Sequence, residues 1–312
     1  MLKLLMLSIG RMNSCKWGTV AMLMPFAITL YSCKSDAIAE RREAQITQIE
    51  SFLRSRSLPY IQRDGVYIAT RTPGFGYSVV TGDSLSFYYI GYTLDGRVFD
   101  TNLQQVALEQ NLNPEFRRFE PLQTVAGSNA LIEGLSRGLP YSKGGDVTTL
   151  VFPSDYGFGS EHKAQIPPWS PIAYDVLITS VYNPSIRNEI QTIEELVERY
   201  QQPFSIDILS GFLHSRVNSQ GVKPTLNDTI WGWYRGFTPL GELVHEAQTP
   251  NQLIALGSNS LPVGLLRSFT ILSRNDTATV ILPSYLAFGV EGGGIVEPYM
   301  PLVYSIRLDS IK

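Results

Sequence analysis

The chain has 312 residues, which is enough for about two ordinary domains. Its 16 Tyr, 14 Phe, 26 Gly and 19 Pro favour strands and short loops over helix bundles. The formal net charge of −3 provides no basic surface for polyanions, so nucleic acid is excluded from the expected partners.

The N-terminal segment is predicted to be an export signal. A basic stretch at residues 11–16 precedes a nearly unbroken apolar run from Trp17 to Leu30. A membrane span needs about 20 residues, so this run is too short for one. Its length is typical of a signal-peptide core. Leu30-Tyr31-Ser32-Cys33 follows and resembles the lipobox of bacterial lipoproteins. The resemblance implies cleavage after Ser32 and lipidation of Cys33; the alternative is an ordinary core cysteine behind a hydrophobic segment.

Two helical segments are predicted, each ahead of a region rich in β-type runs. Ala37 to Arg56 has apolar residues at helical spacing among Glu, Arg and Gln. A second helical stretch runs from about Ile186 to Arg216, with a break near Pro203. After each stretch the pattern changes to short β-type runs separated by Gly, Pro and Asp, which are turn formers.

The two halves of the chain repeat each other. Phe152–Gly159 matches Leu282–Gly289, and Tyr89-x-Gly91 matches Tyr234-x-Gly236. The spacing between these markers is shorter in the second copy. Two copies of one domain explain this better than a solenoid, whose period is usually about 20–50 residues.

Five motifs follow one another in the first half. They are the hairpin block Ser86–Asp100, the segment Leu131–Leu135, the turn Pro153–Gly159, the loop Ile166–Pro168 and the closing strand around Tyr174. Asp95-Gly96 inside the first block is a strong hairpin signal. Together, from about Gly65 to Tyr182, these motifs resemble the FKBP-type peptidyl-prolyl isomerases.

That resemblance implies an α+β fold with two FKBP-like domains. Each domain is expected to be a curled antiparallel β-sheet around a short α-helix, preceded by a helical segment. The expected boundaries are a signal peptide at 1–32, a tether and helix at 33–60, the first domain at 61–182, a helical linker at 183–217 and the second domain at 218–312.

The resemblance also implies an apolar pocket for a prolyl ring in the first half. Carried over position by position, its catalytic residues are Tyr89, Phe99, Asp100, Ile132, Phe158 and Tyr174, and its further substrate-binding residues are Leu131, Leu135 and Ile166. In the family, the backbone N–H at the Ile132 position holds a substrate carbonyl. Asp100 is expected to be a largely buried carboxylate bonded to Tyr89. For any single Phe or Tyr of this set, plain core packing is the alternative.

The chemistry implied by the family requires no bond cleavage. Rotation about a peptide bond faces a barrier of about 18–20 kcal/mol because amide resonance must be broken. A catalyst needs only to bind the twisted amide better than either planar form. We therefore expect no metal, no cofactor and no nucleophile.

Three features of the first half depart from the family pattern. Leu135 occupies the pocket floor, where tryptophan is common, and Phe158 stands where a tyrosine hydroxyl usually reaches the substrate. The stretch from Thr101 to Glu120 is longer than in minimal members and is expected beside the pocket rim. It either selects substrates or is a tolerated surface insertion.

The second half matches the family less well. Val244 stands at the Phe99 position, His245 at the Asp100 position, and Pro262, which has no N–H, at the Ile132 position. Losing a wall, a carboxylate and a backbone donor together predicts an inactive copy. Peptide binding and dimer-forming packing are the alternatives for this half, and His245 is expected to be a surface or pocket histidine rather than a metal ligand.

The sequence as a whole predicts a prolyl isomerase and folding helper for exported proteins. Its expected partners are proline-containing exported polypeptides and a lipid bilayer, reached through an N-terminal lipid anchor. Lys34 after Cys33 favours the outer membrane of the cell envelope, with the periplasmic face and the cell surface both open. The alternatives are a non-catalytic peptide-binding or chaperone lipoprotein and a structural subunit of an outer-membrane complex.

Overall fold

The computed structural model describes residues 24–163, 165–215, 217, 220–247, 249 and 252–312. Most of the predicted export signal, residues 1–23, lies outside the described residues. No helix within the described ranges is both long and apolar enough to cross a membrane. The chain divides into two units, residues 1–47 and 48–312, and both β-sheets lie in the second unit.

Five α-helices lie within the described residues. They are α1 (Met24–Ser55), α2 (Gln104–Glu109), α3 (Glu133–Gly138), α4 (Pro184–Tyr200) and α5 (Val263–Ser268). The predicted helix Ala37–Arg56 is confirmed up to Ser55, and α1 begins earlier, at Met24. Cys33 lies in the first part of α1, where side chains are outside the described set.

The described strands form two sheets. The first contains β1 (Ile61–Arg63), β2 (Val66–Thr72), β3 (Ser84–Thr93), β4 (Val98–Thr101), β5 (Leu122–Val125), β6 (Val147–Phe152) and β7 (Ile172–Tyr182). The second contains β8 (Phe204–Ile206), β9 (Leu213–Ser215), β10 (Thr229–Phe237), β11 (Leu243–Glu246), β12 (Gln252–Ala255), β13 (Thr277–Leu282) and β14 (Leu302–Ile311).

Both sheets have the same strand order and are antiparallel throughout. The order is β1-β2-β6-β7-β3-β4 in the first sheet, with β5 also on β3, and β8-β9-β13-β14-β10-β11 in the second, with β12 also on β10. The register repeats as well, because Gly91 lies opposite Tyr174 in one sheet and Gly236 opposite Tyr304 in the other. The predicted α+β class with two FKBP-like sheets is confirmed.

One short helix packs on each sheet through a glycine. A Cβ at Gly134 of α3 would lie 2.3 Å from the Phe152 ring, and a Cβ at Gly264 of α5 would lie 2.7 Å from Leu286. Neither position therefore has room for a side chain. The close approach buries Leu135 and Leu265, each in the core of its own half.

The predicted helical linker 183–217 is wrong beyond Tyr200. Gln201 takes a left-handed conformation with φ of 47°, and Pro203 cannot continue a helix. The residues that follow form β8 and β9, and β9 pairs with β13 of the second sheet. The sequence pattern predicts a helix for the apolar residues of 204–213 because short apolar runs do not distinguish a strand from a helix turn. The second sheet therefore begins before residue 218.

Helix α4 connects the two halves through a buried carboxylate. Glu189 is 2% exposed and accepts hydrogen bonds from the backbone N–H and from the hydroxyl of Ser284, the latter at 2.7 Å. The Tyr77 hydroxyl of the first half also donates to Glu189, and the Tyr77 ring lies 4.7 Å from that of Tyr285. Burial raises the pKa of the Glu189 carboxyl.

Replacing Glu189 is expected to destabilise the chain strongly. Glu189→Ala leaves the two buried donors of Ser284 and the Tyr77 hydroxyl without their acceptor, so the free energy of unfolding should fall by about 2–4 kcal/mol. Ser284→Ala, the matched control, removes one hydroxyl only and should lose about 0.5–1.5 kcal/mol. Urea denaturation checks both values. A wild-type midpoint for Glu189→Ala would contradict the role given to this carboxylate.

Candidate active site

The first half holds a cluster of aromatic rings around Tyr174 of β7. The ring of Phe99 lies 5.7 Å from that of Tyr174 and 5.9 Å from that of Phe158, both edge to face. Tyr89 lies 5.9 Å from Tyr174, and the Phe152 ring is stacked with the Tyr174 ring at 6.0 Å. Edge-to-face and offset packing is the favourable arrangement for such rings.

Two backbone features of the hairpin make this cluster possible. A Cβ at Gly91 would lie 2.8 Å from the Tyr174 ring and 2.9 Å from the Phe99 ring, so both rings cross the strand where it has no side chain. The register between β3 and β4 shifts at Gly91/Tyr92, so that Phe99 stands in a β-bulge between Val98 and Asp100. A bulge redirects a side chain, and here it places Phe99 over the cluster.

The structure brings all nine predicted pocket residues together. Eight belong to one hydrophobic cluster, and Asp100 joins it through Tyr89. Leu135, Ile166 and Tyr174 are 3–4% exposed and form the floor. The walls are half-buried and so remain accessible to a ligand; they are Tyr89, Phe99, Leu131, Ile132 and Phe158.

Asp100 accepts a hydrogen bond from Tyr89, as predicted, but it is not largely buried. The Tyr89 hydroxyl lies 3.0 Å from Oδ2 of Asp100, and the Thr101 N–H donates to Oδ1. The Asp100 side chain is 41% exposed because it stands at the open rim of the pocket. Burial, followed by the Asp100 charge, raises the pKa of Tyr89, so this hydroxyl stays protonated at neutral pH.

Sequence reasoning missed the partner of Asp100, which comes from the insertion at 101–120. Nη2 of Arg117 lies 3.3 Å from Oδ1 of Asp100 and donates to the carbonyl of Phe99 at 3.1 Å. The only sequence signal was the basic, aromatic run from Phe116 to Phe119. The expected position of this segment beside the pocket rim is confirmed by these contacts. Arg117 also forms an ion pair with Asp100, and its hydrogen bond to the Phe99 carbonyl stabilises the bulge.

Asn102 is a second residue that the sequence did not single out. It is 4% exposed, and its Oδ1 accepts the Tyr89 N–H at 2.7 Å. Its Nδ2 donates to the carbonyls of Phe87 and Glu120. Asn102 therefore fixes the backbone of Tyr89 and both ends of the insertion.

Ile132 lies directly before α3, at the N-cap position. The first N–H groups of a helix have no partner within the helix. Within the described part of the chain, the Ile132 N–H donates no hydrogen bond. Since Ile132 is half-buried at the pocket wall, this N–H is available to a ligand carbonyl.

Beside the pocket, residues of the insertion line part of an open polar cavity of about 410 Å³. Its walls include Tyr89, Asp100, Asn102, Arg117 and Arg118. In the described ranges, no group of three or more His, Cys, Asp or Glu side chains is placed to hold a metal ion.

One family of known proteins matches this part of the chain. The model of the FKBP-type peptidyl-prolyl cis-trans isomerase family matches residues 76–179. The chain therefore contains an FKBP-type domain in its first half. This region includes every predicted pocket residue.

Individual relatives are distant. Human peptidyl-prolyl cis-trans isomerase FKBP9 is 25% identical over 232 residues, which cover 73% of this chain and 35% of the human protein. The chain thus spans about a third of that relative. An FK506-binding protein of Neisseria meningitidis is 28% identical over 119 residues, 38% of this chain and 97% of the relative. The three FKBP domains of wheat FKBP73 give a TM-score of 0.32 at 16% identity, covering 80% of this chain and 98% of that structure.

Adding one methyl group at Gly91 should disturb the ring cluster. Gly91→Ala forces the rings of Tyr174 and Phe99 apart, which should lower the free energy of unfolding by about 1–3 kcal/mol. Ser84→Ala, at an exposed position on the same strand, should change it by less than about 0.5 kcal/mol. Thermal and urea denaturation provide the measurement. Equal stability of the two variants would show that the ring cluster does not require a glycine at position 91.

Proposed function

We propose that the first half catalyses cis–trans isomerisation of X-Pro peptide bonds. The observation that carries this proposal is the convergence of all nine predicted residues around Tyr174, beside an Ile132 N–H that has no acceptor among the described residues. The family match over residues 76–179 supports the same activity.

The pocket can favour the twisted amide without forming a covalent bond. The prolyl ring would lie on Tyr174 and Leu135, between Phe99 and Ile132, which removes the X-Pro amide from water. A twisted amide has lost its resonance, so its carbonyl is less polar than a planar one and tolerates desolvation better. A millionfold acceleration requires about 8 kcal/mol of differential binding. The Ile132 N–H would orient the peptide by binding one of its carbonyls.

The polar groups at the rim are arranged for binding rather than for proton transfer. The Tyr89 hydroxyl is protonated and already donates to Asp100. Arg117 pairs with the same carboxylate. Their role in the proposal is to hold the bulge and Tyr89 in place.

A second candidate function is peptide binding without turnover. It is favoured by Phe158, which has no hydroxyl to offer a substrate carbonyl. One missing hydrogen bond contributes about 0.5–1.5 kcal/mol, which slows a catalyst about tenfold at most. The isomerisation assay separates the two candidates, because a binding protein gives no acceleration.

Truncating the pocket wall should reduce turnover selectively. Phe99→Ala is expected to lower kcat/KM for a proline tetrapeptide by at least about tenfold, since a ring that packs on the substrate is lost. Val98→Ala, the neighbouring position outside the bulge, should keep the wild-type value. A protease-coupled isomerisation assay on the full chain measures both. Phe99→Ala turnover at the wild-type rate would exclude this pocket as the active site.

We also propose that the mature protein is lipid-anchored at Cys33 and acts on exported, proline-containing polypeptides at the cell envelope. The support is the match of Leu30-Tyr31-Ser32-Cys33 to a lipobox after an apolar run. Lys34 favours the outer membrane.

Cell fractionation tests the anchor. Cys33→Ala should move the protein from the membrane fraction to the soluble fraction or leave it as an uncleaved precursor, because the thiol that would carry the lipid is lost. Cys15→Ala is the matched control and should stay in the membrane fraction as a processed protein. Processed Cys33→Ala protein in the membrane fraction would rule out anchoring at this residue.

A further inference from the structure

The ring cluster around His245 in the second half is packed interior. The His245 ring lies edge to face against the rings of Tyr304, at 5.3 Å, and Phe288, at 6.4 Å. Tyr304 and Leu265 belong to the core of this half and are 0% exposed. A ligand site of the second half therefore has to lie on another surface.

The outer face of the second sheet carries two tryptophans at consecutive outward positions. Residues of β10 alternate between buried and more exposed, so Trp231, Trp233 and Arg235 share the outward face. Trp231 is 40% exposed, and Leu253, its neighbour on β12, is 43% exposed. Trp233 is half-buried. Contiguous large apolar side chains on an exposed face mark binding surfaces.

An open cavity of about 540 Å³ lies on this face, and Trp233 lines it. Its other walls are mostly polar and consist of Gln202, Ser215, Thr277, Ala278, Thr279, Ser305, Ile306 and Arg307. Within the described ranges, the amide of Gln202 and the hydroxyls of Thr277 and Ser305 make no hydrogen bond to the protein. These three groups are therefore available to a ligand.

The arginines on this face are paired with carboxylates. Nε of Arg307 lies 2.7 Å from Oδ1 of Asp309. Nε of Arg235 lies 2.6 Å from Oε2 of Glu246. A charged ligand would have to compete for these pairs, whereas a neutral ligand leaves them intact. The charge of the face therefore favours a neutral ligand.

The first sheet has a different surface at the corresponding positions. Ser86 and Tyr88 of β3 stand where the two tryptophans stand on β10. Asp175 of β7 stands at the position of Ser305 and forms an ion pair with Arg71. The pair of tryptophans is therefore a property of the second copy and not of the shared fold.

We propose that this face of the second sheet binds a neutral oligosaccharide. An indole ring attracts the apolar C–H face of a sugar, because its negative π face meets weakly positive C–H groups. Hydroxyl and amide side chains both donate and accept hydrogen bonds, as the hydroxyls of a sugar do. Aromatic walls with a few convergent polar groups are the usual construction of a small-molecule site. The proposal goes beyond the isomerase activity of the first half and does not depend on it.

Two other ligands fit this face less well. A proline-rich segment has many carbonyl acceptors but few N–H donors, so it would leave acceptors such as the Gln202 carbonyl unused. An anionic membrane surface attracts clustered basic side chains, whereas Arg235 and Arg307 are already paired.

Titration of the full chain with neutral oligosaccharides tests the proposal. The probes are α- and β-linked oligomers of hexoses and of N-acetylhexosamines, measured by calorimetry. At least one probe should bind, and Trp233→Ala should lower its affinity by at least about tenfold, since the stacking ring is lost. Tyr88→Ala, the corresponding position of the first sheet, is the matched control and should keep the wild-type affinity.

Three outcomes of this titration would overturn the proposal. The first is that no probe binds at millimolar concentration. The second is binding that Trp233→Ala leaves unchanged. The third is Trp233-dependent binding of a proline-rich peptide or of anionic vesicles with no sugar bound, which would assign the face to that other ligand.

Thr277→Val tests the same site with the tryptophan in place. Val147 stands at the corresponding position of the first sheet, so the fold accepts valine there, and the urea midpoint should not change. Loss of one hydroxyl should lower the affinity for the sugar about two- to tenfold. An unchanged affinity would overturn the placement of the sugar in the cavity.

Salt dependence tests the neutral charge of the ligand. The affinity for the sugar should stay within about twofold between low and high NaCl concentration, because no charged groups meet. A steep loss of affinity with salt would overturn binding of a neutral ligand.

Discussion

The architecture depends on a tyrosine ring that crosses a glycine on the neighbouring strand. Gly91 lies opposite Tyr174, and a single Cβ there would overlap the rings of both Tyr174 and Phe99. The same contact recurs in the second sheet, where a Cβ at Gly236 would lie 2.4 Å from Tyr304. Because Gly91 and Gly236 have no side chains, aromatic rings can pack directly against the sheet at these two positions. The position of the pocket therefore follows from the strand register, which places a tyrosine opposite a glycine in both sheets.

On this shared scaffold the two halves differ in a few side chains. The first half has a phenyl wall at Phe99, a paired carboxylate at Asp100 and an N–H at Ile132. The second has an imidazole wall at His245 and an N-cap without a donor at Pro262. The second half therefore lacks the carboxylate and the backbone donor that the first half keeps at the corresponding positions. Glu189 would keep the two copies in a fixed relation.

The sequence predicted those features that depend on local pattern. Asp95-Gly96 identified the hairpin, and repeated motifs identified both copies and their pocket positions. It did not predict contacts between segments that come together only in the fold. Arg117 reaches Asp100 from within the insertion, Glu189 meets Ser284 of the other half, and the residues after Tyr200 become strands because β13 is available to pair with β9. The orientation of the His245 ring was also not predictable from local pattern, because it depends on packing against Tyr304 and Phe288.

In the proposed activity, the first pocket accelerates rotation about the X-Pro bond by differential binding alone, with no proton transferred. The most direct measurement is exchange NMR of an X-Pro peptide with the full chain in H₂O and in D₂O. We expect rapid catalysed exchange with a solvent isotope effect close to one. Exchange no faster than that of the free peptide, or a rate at least about twofold slower in D₂O, would contradict it.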